Sequence, residues 1–184
     1  TVGDAAIYVE AEGLEELAPA AAAGAYSPLL AHDFDTEVLA DATYKLNPGG
    51  DDASFIALSS GRHLVLYNTR FQANAGANRS EIQTWLTLAG EQLAAGRSQG
   101  YIRRTGNANE AVLSGGAIIT SPSDNARVSL RSRRSDNNAA YQPARNGANN
   151  NNKVLGSTAI QFFKLDDGWD YLSLELGADI LLAN

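Results

Sequence analysis

Two segments constrain what this chain can fold into more than any others. Ser60–Phe71 reads Ser-Gly-Arg-His-Leu-Val-Leu-Tyr-Asn-Thr-Arg-Phe, and the second runs from Gly115-Gly116-Ala117-Ile118-Ile119 through Asp124 to Val128-Ser129-Leu130. Each is a short aliphatic and aromatic run entered through glycine, the pattern of a strand. Similar runs recur at short spacing from Phe34 onward, and no helix of useful length lies between them. Many short strands separated by turns make an all-β sandwich or barrel.

The individual strands follow from alternation and punctuation. Thr43–Leu46 is closed by the turn Asn47-Pro48-Gly49-Gly50. Ser54–Leu58, His63–Phe71 and Ile82–Leu88 come next; Ile82, Thr84, Leu86 and Leu88 share one face, with Glu81, Gln83 and Trp85 on the other. Gly100–Arg104, Ala111–Leu113, Ala117–Thr120 and Ala126–Arg133 continue the series, with Val128 and Leu130 opposite Arg127, Ser129, Arg131 and Arg133. Thr158–Leu165 and Tyr171–Leu176 end it. Ahead of these strands, Ile7 and Val9 alternate, Leu14 and Leu17 are spaced as in a short helix, and Pro19–Pro28 is an alanine-rich connector. The expected organisation is an arm over 1–34, a sandwich over 35–166, and a last strand or the start of a further domain over 167–184.

Composition narrows the chemistry. With no cysteine, the chain has no disulfide framework, thiolate metal site or cysteine nucleophile. Its apolar runs fall far short of the ~20 residues that cross a bilayer, and no membrane partner is expected. No signal peptide opens it, and Thr1 reads as a start left by removal of an initiator methionine or by proteolytic maturation. The net charge of −7 conceals a segregation: residues 1–60 hold eleven acidic side chains against Lys45 alone, residues 61–164 hold thirteen basic against five acidic, and residues 165–184 hold five acidic and no basic. Eleven arginines stand against three lysines. The guanidinium fork suits bidentate contacts at interfaces.

The candidate site residues are therefore surface ones. Arg103, Arg104, Arg127, Arg131 and Arg133, with Trp85, form the expected interface, either between subunits or to another acidic partner. An equally weighted reading makes the arginines a solvated strand face. Nucleic acid is not expected, because aromatics interleaved for base stacking are few and the net charge repels phosphate. Asp51 and Asp52 after Gly49-Gly50 offer oxygen ligands for calcium, the one cofactor considered. Tyr141, Asn149 and Asn150 sit in the Asn-rich stretch Ser135–Lys153, which is too polar for a core and reads as an exposed receptor loop. His32 beside Asp33 and Asp35 is a minor metal candidate, and His63 reads as structural. Adjacent carboxylate pairs in turns point apart, and no phosphate loop or dinucleotide fingerprint is present, so no enzyme is expected.

The ordered segments together resemble the C1q/TNF-like jelly-roll family over about residues 35–165. Gly61–Tyr67 with Arg70-Phe71 resembles its central strand. Ala111–Ile119, followed by the acidic turn Ser123-Asp124-Asn125 and Val128-Ser129-Leu130, is similar to its leucine–small–glycine strand, and Ser157–Leu165 to its closing strand. The turn carries Asp-Asn in place of the usual Gly-Asp, and His63 stands where an aromatic is common. The resemblance implies a ten-stranded jelly roll assembled as a homotrimer. Lacking cysteine and rich in Ala, Asn and Gly, the chain is similar in style to virion-surface members. The expected function is a trimeric capsid decoration or fibre protein of a bacteriophage. Residues 1–34 would dock on a capsid or tail protein, and a cell-surface glycan is a further partner. The alternative is an extracellular carbohydrate-binding module, assisted by calcium.

Overall fold

The computed structural model describes residues 4–10, 16–46, 54–73, 80–102, 110–135, 143–145 and 158–165. Twelve strands lie among them: β1 (Ala5–Glu10), β2 (Leu30–Ala31), β3 (Thr36–Leu39), β4 (Tyr44–Leu46), β5 (Ile56–Leu58), β6 (Gly61–Ala73), β7 (Ser80–Leu88), β8 (Glu91–Ile102), β9 (Glu110–Ser121), β10 (Ala126–Arg134), β11 (Pro143–Arg145) and β12 (Thr158–Leu165). They form two six-stranded sheets, and every pairing is antiparallel.

The long β6 is the spine of the first sheet. It pairs with β9 along one edge from Gly61 to Gln72, and on the other edge with β12 and then β11. β12 continues to β1 and β1 to β3. In the second sheet the order is β4-β5-β10-β7-β8, with β2 beside β10. The chain passes between sheets from β5 to β6, from β6 to β7, from β8 to β9 and from β9 to β10, which wraps it as a jelly roll. Ala89 and Gly90 turn β7 into β8 with positive φ of 50° and 89°, the twist a two-residue hairpin loop requires. Asn125 (φ 67°) closes the expected acidic turn, where the Ser60 N–H donates to Asp124 Oδ1 at 2.8 Å and lowers the Asp124 carboxyl below its usual range.

Alternation places Val65, Tyr67, Ile119, Val128, Leu130, Ile160 and Phe162 inward as one apolar cluster, with Tyr8, Phe34 and Tyr44. A second cluster of Leu17, Phe71, Ile82, Ile102, Ala111 and Leu113 fills the other end. Several details differ from the expectations above. Ala111–Leu113 and Ala117–Thr120 are one strand, because Gly115 and Gly116 continue the ladder instead of breaking it. β8 begins at Glu91, well ahead of the expected start at Gly100. Leu17 is buried and no helix runs through the described residues 16–20, while Leu14 lies outside the described residues.

Residues 5–10 and 16–34, expected as part of the arm, lie against the sandwich. β1 sits between β12 and β3 within the first sheet. The Ser27 N–H donates to the Arg134 carbonyl at 2.8 Å, the His32 N–H to the Leu130 carbonyl at 2.9 Å, and Phe34 joins the core. Residues 166–184, including the expected strand Tyr171–Leu176, fall outside the described residues.

Candidate functional site

The two sheets present opposite kinds of outward face. An antiparallel sheet packed on one side ordinarily turns polar side chains to water on the other. The first sheet does so at Arg62, Asn68 and Arg70 of β6, but not at Leu64 and Leu66 between them. Its cross-strand register builds an outward row Ala5–Phe163–Leu64–Ile118, and beside it a second, Leu39–Ile7–Gln161–Leu66–Gly116. Val112 is 61% exposed, Ile118 57% and Leu66 38%, with Val38 and Leu39 exposed on the edge strand β3. The centre of this face is a hollow bordered by Leu66, Asn68, Ser114, Ala159 and Gln161. Gly116 lets Leu66 lie close against β9: a Cβ there would stand 2.6 Å from both Leu66 Cδ2 and the Val65 carbonyl oxygen. An apolar surface of this extent on a folded domain marks an interaction site.

On the second sheet the outward side chains of β10 are Arg127, Arg131 and Arg133, as the alternation of Val128 and Leu130 predicted. Arg97 joins them from β8; it is in register with Trp85, which is in register with Arg131. The Arg133 guanidinium lies 4.1 Å from the Tyr26 ring and 4.5 Å from the Trp85 ring, and Arg97 lies 5.2 Å from Trp85. Arg127 and Arg131 both lie near Phe55, at 5.6 and 5.9 Å. Trp85, expected at the interface, is 4% exposed, so its indole supports guanidinium groups and offers no open ring face. Neighbouring oxygens fix the arginines further: Arg133 Nε donates to Gln83 Oε1 at 3.0 Å and Arg131 Nε to Ser129 Oγ at 3.2 Å. Arg97 was missed in the sequence because its strand carries few apolar residues.

The two imidazoles are interior. His32 is fully buried, with Nδ1 2.9 Å from Glu10 Oε2 and Nε2 2.7 Å from Ser132 Oγ; Ser132 Oγ is in turn 2.8 Å from Thr84 Oγ1. Both ring nitrogens are thus engaged in a chain linking β1 to the second sheet. Asp33, expected beside His32 in a metal cluster, is exposed. His63 Nδ1 is 3.1 Å from Tyr44 Oη, and its Nε2 is 3.0 Å from the Ser59 carbonyl, to which it donates. Burial holds the His63 imidazole below its usual value, the Ser59 hydrogen bond opposes that, and Lys164 reinforces it. The structural role expected for His63 fits these contacts. Among the described residues no three His, Asp or Glu side chains converge to hold a metal ion. Asp51, Asp52, Arg103, Arg104, Tyr141, Asn149 and Asn150 lie outside the described residues.

No protein-family model matches the chain, and no curated protein matches it. Solved structures do. An Eiger TNF from S. frugiperda superposes with a TM-score of 0.53 at 14% identity, covering 91% of this chain and 95% of that one. The globular domain of zebrafish complement 1qA protein (TM-score 0.43, 10% identity, 89% of this chain and 98% of that one) and murine APRIL (0.46, 11%, 88% and 100%) are more distant and add no weight. With two antiparallel sheets in the order described and this superposition, the chain has the jelly-roll sandwich fold of the TNF-like kind.

Proposed function

We propose that the chain is a non-catalytic, self-assembling module that forms a homotrimer by burying the outward face of the first sheet against two further copies. The observation that carries this reading is the double-sided apolar character of that sheet, where Ile7, Phe163, Leu64, Leu66 and Ile118 project away from the core. At ~25 cal/mol per Å² of apolar area removed from water, such a face is a strong drive to association. A closed ring of identical subunits satisfies every copy of it and leaves none exposed. The sequence resemblance implies the same stoichiometry. Catalysis has no support in the arrangement of the described His, Asp and Glu side chains, since both imidazoles are held in interior hydrogen bonds. The virion-surface role expected from the sequence rests on composition and resemblance alone, and the trimer reading does not depend on it.

The test is a paired substitution on the proposed interface, Leu66→Glu with Ile118→Glu. Both side chains are exposed in the single chain, so the fold should survive, as read by an unchanged far-ultraviolet spectrum, while the assembly separates into monomers. An assembly that tolerates both charges would place the subunit contact elsewhere.

A further inference from the structure

The outward face of the second sheet carries four arginines that the fold holds without neutralising. Arg97, Arg127, Arg131 and Arg133 lie over Trp85, Phe55 and Tyr26, and the side-chain hydrogen bonds of Arg97, Arg131 and Arg133 go to the neutral Gln99, Ser129 and Gln83. Among the described residues, none of the four is within ion-pair distance of a carboxylate. The chain has 21 acidic residues, so carboxylate partners are not scarce. Glu81, the acidic residue on the same face, is turned to the Tyr26 hydroxyl at 2.5 Å and to the Gln83 amide at 2.6 Å.

These contacts constrain the side chains. A guanidinium held over an aromatic ring loses freedom before any ligand arrives, and the N–H groups it does not spend on its neighbours can grip an oxyanion with paired hydrogen bonds. Arg127, Arg131 and Arg133 occupy alternate outward positions of β10, which places them along about 20 Å of strand at ~3.4 Å per residue, with Arg97 one strand beyond Trp85.

We propose that this face binds an anionic polysaccharide, one bearing sulfate or carboxylate groups, across Arg97, Arg127, Arg131 and Arg133. Two observations favour a charged glycan over other polyanions. Protein interfaces depend on buried aromatic or aliphatic anchors; here Trp85 lies beneath Arg97 and Arg133, and a protein partner finds no apolar centre to bury. Single-stranded nucleic acid is held by bases stacked on open rings, and the Trp85 and Tyr26 rings are already engaged by guanidinium. A hydrated sugar polymer needs only the fixed positive edges and neighbouring polar groups, of which Gln92 and Gln99 are exposed. The site lies on the sheet opposite the proposed subunit contact, so it is open whether or not the trimer forms.

The experiment is calorimetric titration of the full chain with dextran sulfate, uncharged dextran, polyglutamate and single-stranded oligothymidylate at low and moderate salt. Dextran sulfate should bind saturably and weaken as salt rises, uncharged dextran should not bind, and polyglutamate and oligothymidylate should bind at least tenfold more weakly. Arg127→Gln with Arg131→Gln, both outside the core, should reduce dextran sulfate affinity at least tenfold with thermal stability unchanged. Absence of dextran sulfate binding, binding indifferent to the arginine pair, or tighter binding of polyglutamate or oligothymidylate would overturn the proposal.

Discussion

Tyr67 and Gly115 face each other across β6 and β9 so closely that a Cβ on Gly115 would stand 2.6 Å from the Tyr67 hydroxyl. Glycine is what lets the Tyr67 ring cross the sandwich, where its hydroxyl donates to the Gly96 carbonyl on β8 at 3.1 Å. Burial pushes the Tyr67 phenol up to about 12, so it stays a hydrogen-bond donor throughout the ordinary pH range. Gly115→Ala should therefore destabilise the fold by about 1–3 kcal/mol, the usual cost of overpacking a core. That is a melting-point loss of roughly 2–12 °C for a chain of this size. A Gly115→Ala protein as stable as its parent in thermal unfolding would show that the ring has room to move.

Two other buried tyrosines predict opposite responses to losing the hydroxyl. Tyr8 is fully buried, and its hydroxyl has no hydrogen-bond partner among the described residues. A buried polar group left unpaired costs ~1–3 kcal/mol. Tyr8→Phe should be neutral or stabilising in urea unfolding. Tyr44→Phe should be destabilising by about 1 kcal/mol, because it strips His63 Nδ1 of the Tyr44 hydroxyl 3.1 Å away. The same sign for both substitutions would contradict the pairing described.

The buried pair of Glu10 and His32 ties β1 to the segment that leaves β2. Removing one member of a buried pair leaves the other uncompensated, at a cost of ~3–5 kcal/mol. Glu10→Ala should lower the urea midpoint by that equivalent without changing its slope. A loss below about 1 kcal/mol would mean that water replaces the carboxylate.

His63 predicts a pH dependence. Its folded-state value lies below the ordinary 6.5, with burial as the main cause. Above pH 6.5 the ring is neutral in both states and contributes nothing. As pH falls below 6.5 the unfolded chain takes up a proton that the folded one does not, so stability declines towards the lowered folded value. The stability difference between the parent and His63→Asn should shrink as pH falls from 7 to 5.5. A constant difference would mean that the imidazole titrates alike in both states.

Much of the sandwich was legible in the sequence because β6, β7, β10 and β12 combine alternation with β-branched and aromatic residues. β8 was read only at its end, for a physical reason. Gly96 and Gly100 are small because a Cβ at either would stand 2.8 Å from Leu86 or 2.9 Å from Leu113, so a strand packed against its neighbours' leucines carries few apolar residues of its own. Arg97 was missed with it. The near-continuous runs Leu64–Tyr67 and Ala5–Val9 held the signal of a sheet covered on both faces, which a reading for one buried face passes over. Arg127, Arg131 and Arg133 were recognised from their alternation with Val128 and Leu130. Their aromatic contacts were not, because Phe55 and Tyr26 are distant in sequence and only the strand order brings them to β10. Arg134 follows the inward parity of Val128 and Leu130, but alternation does not name what meets a buried guanidinium: its Nε donates to the Ala18 carbonyl at 2.9 Å.

The central claim is that the first sheet's outward face is a subunit contact, and the mass of the chain in solution tests it most directly. Light scattering at low and high salt should give three times the chain mass of 19.4 kDa in both, because apolar burial is not screened by salt. A single-chain mass at either salt concentration would contradict the account.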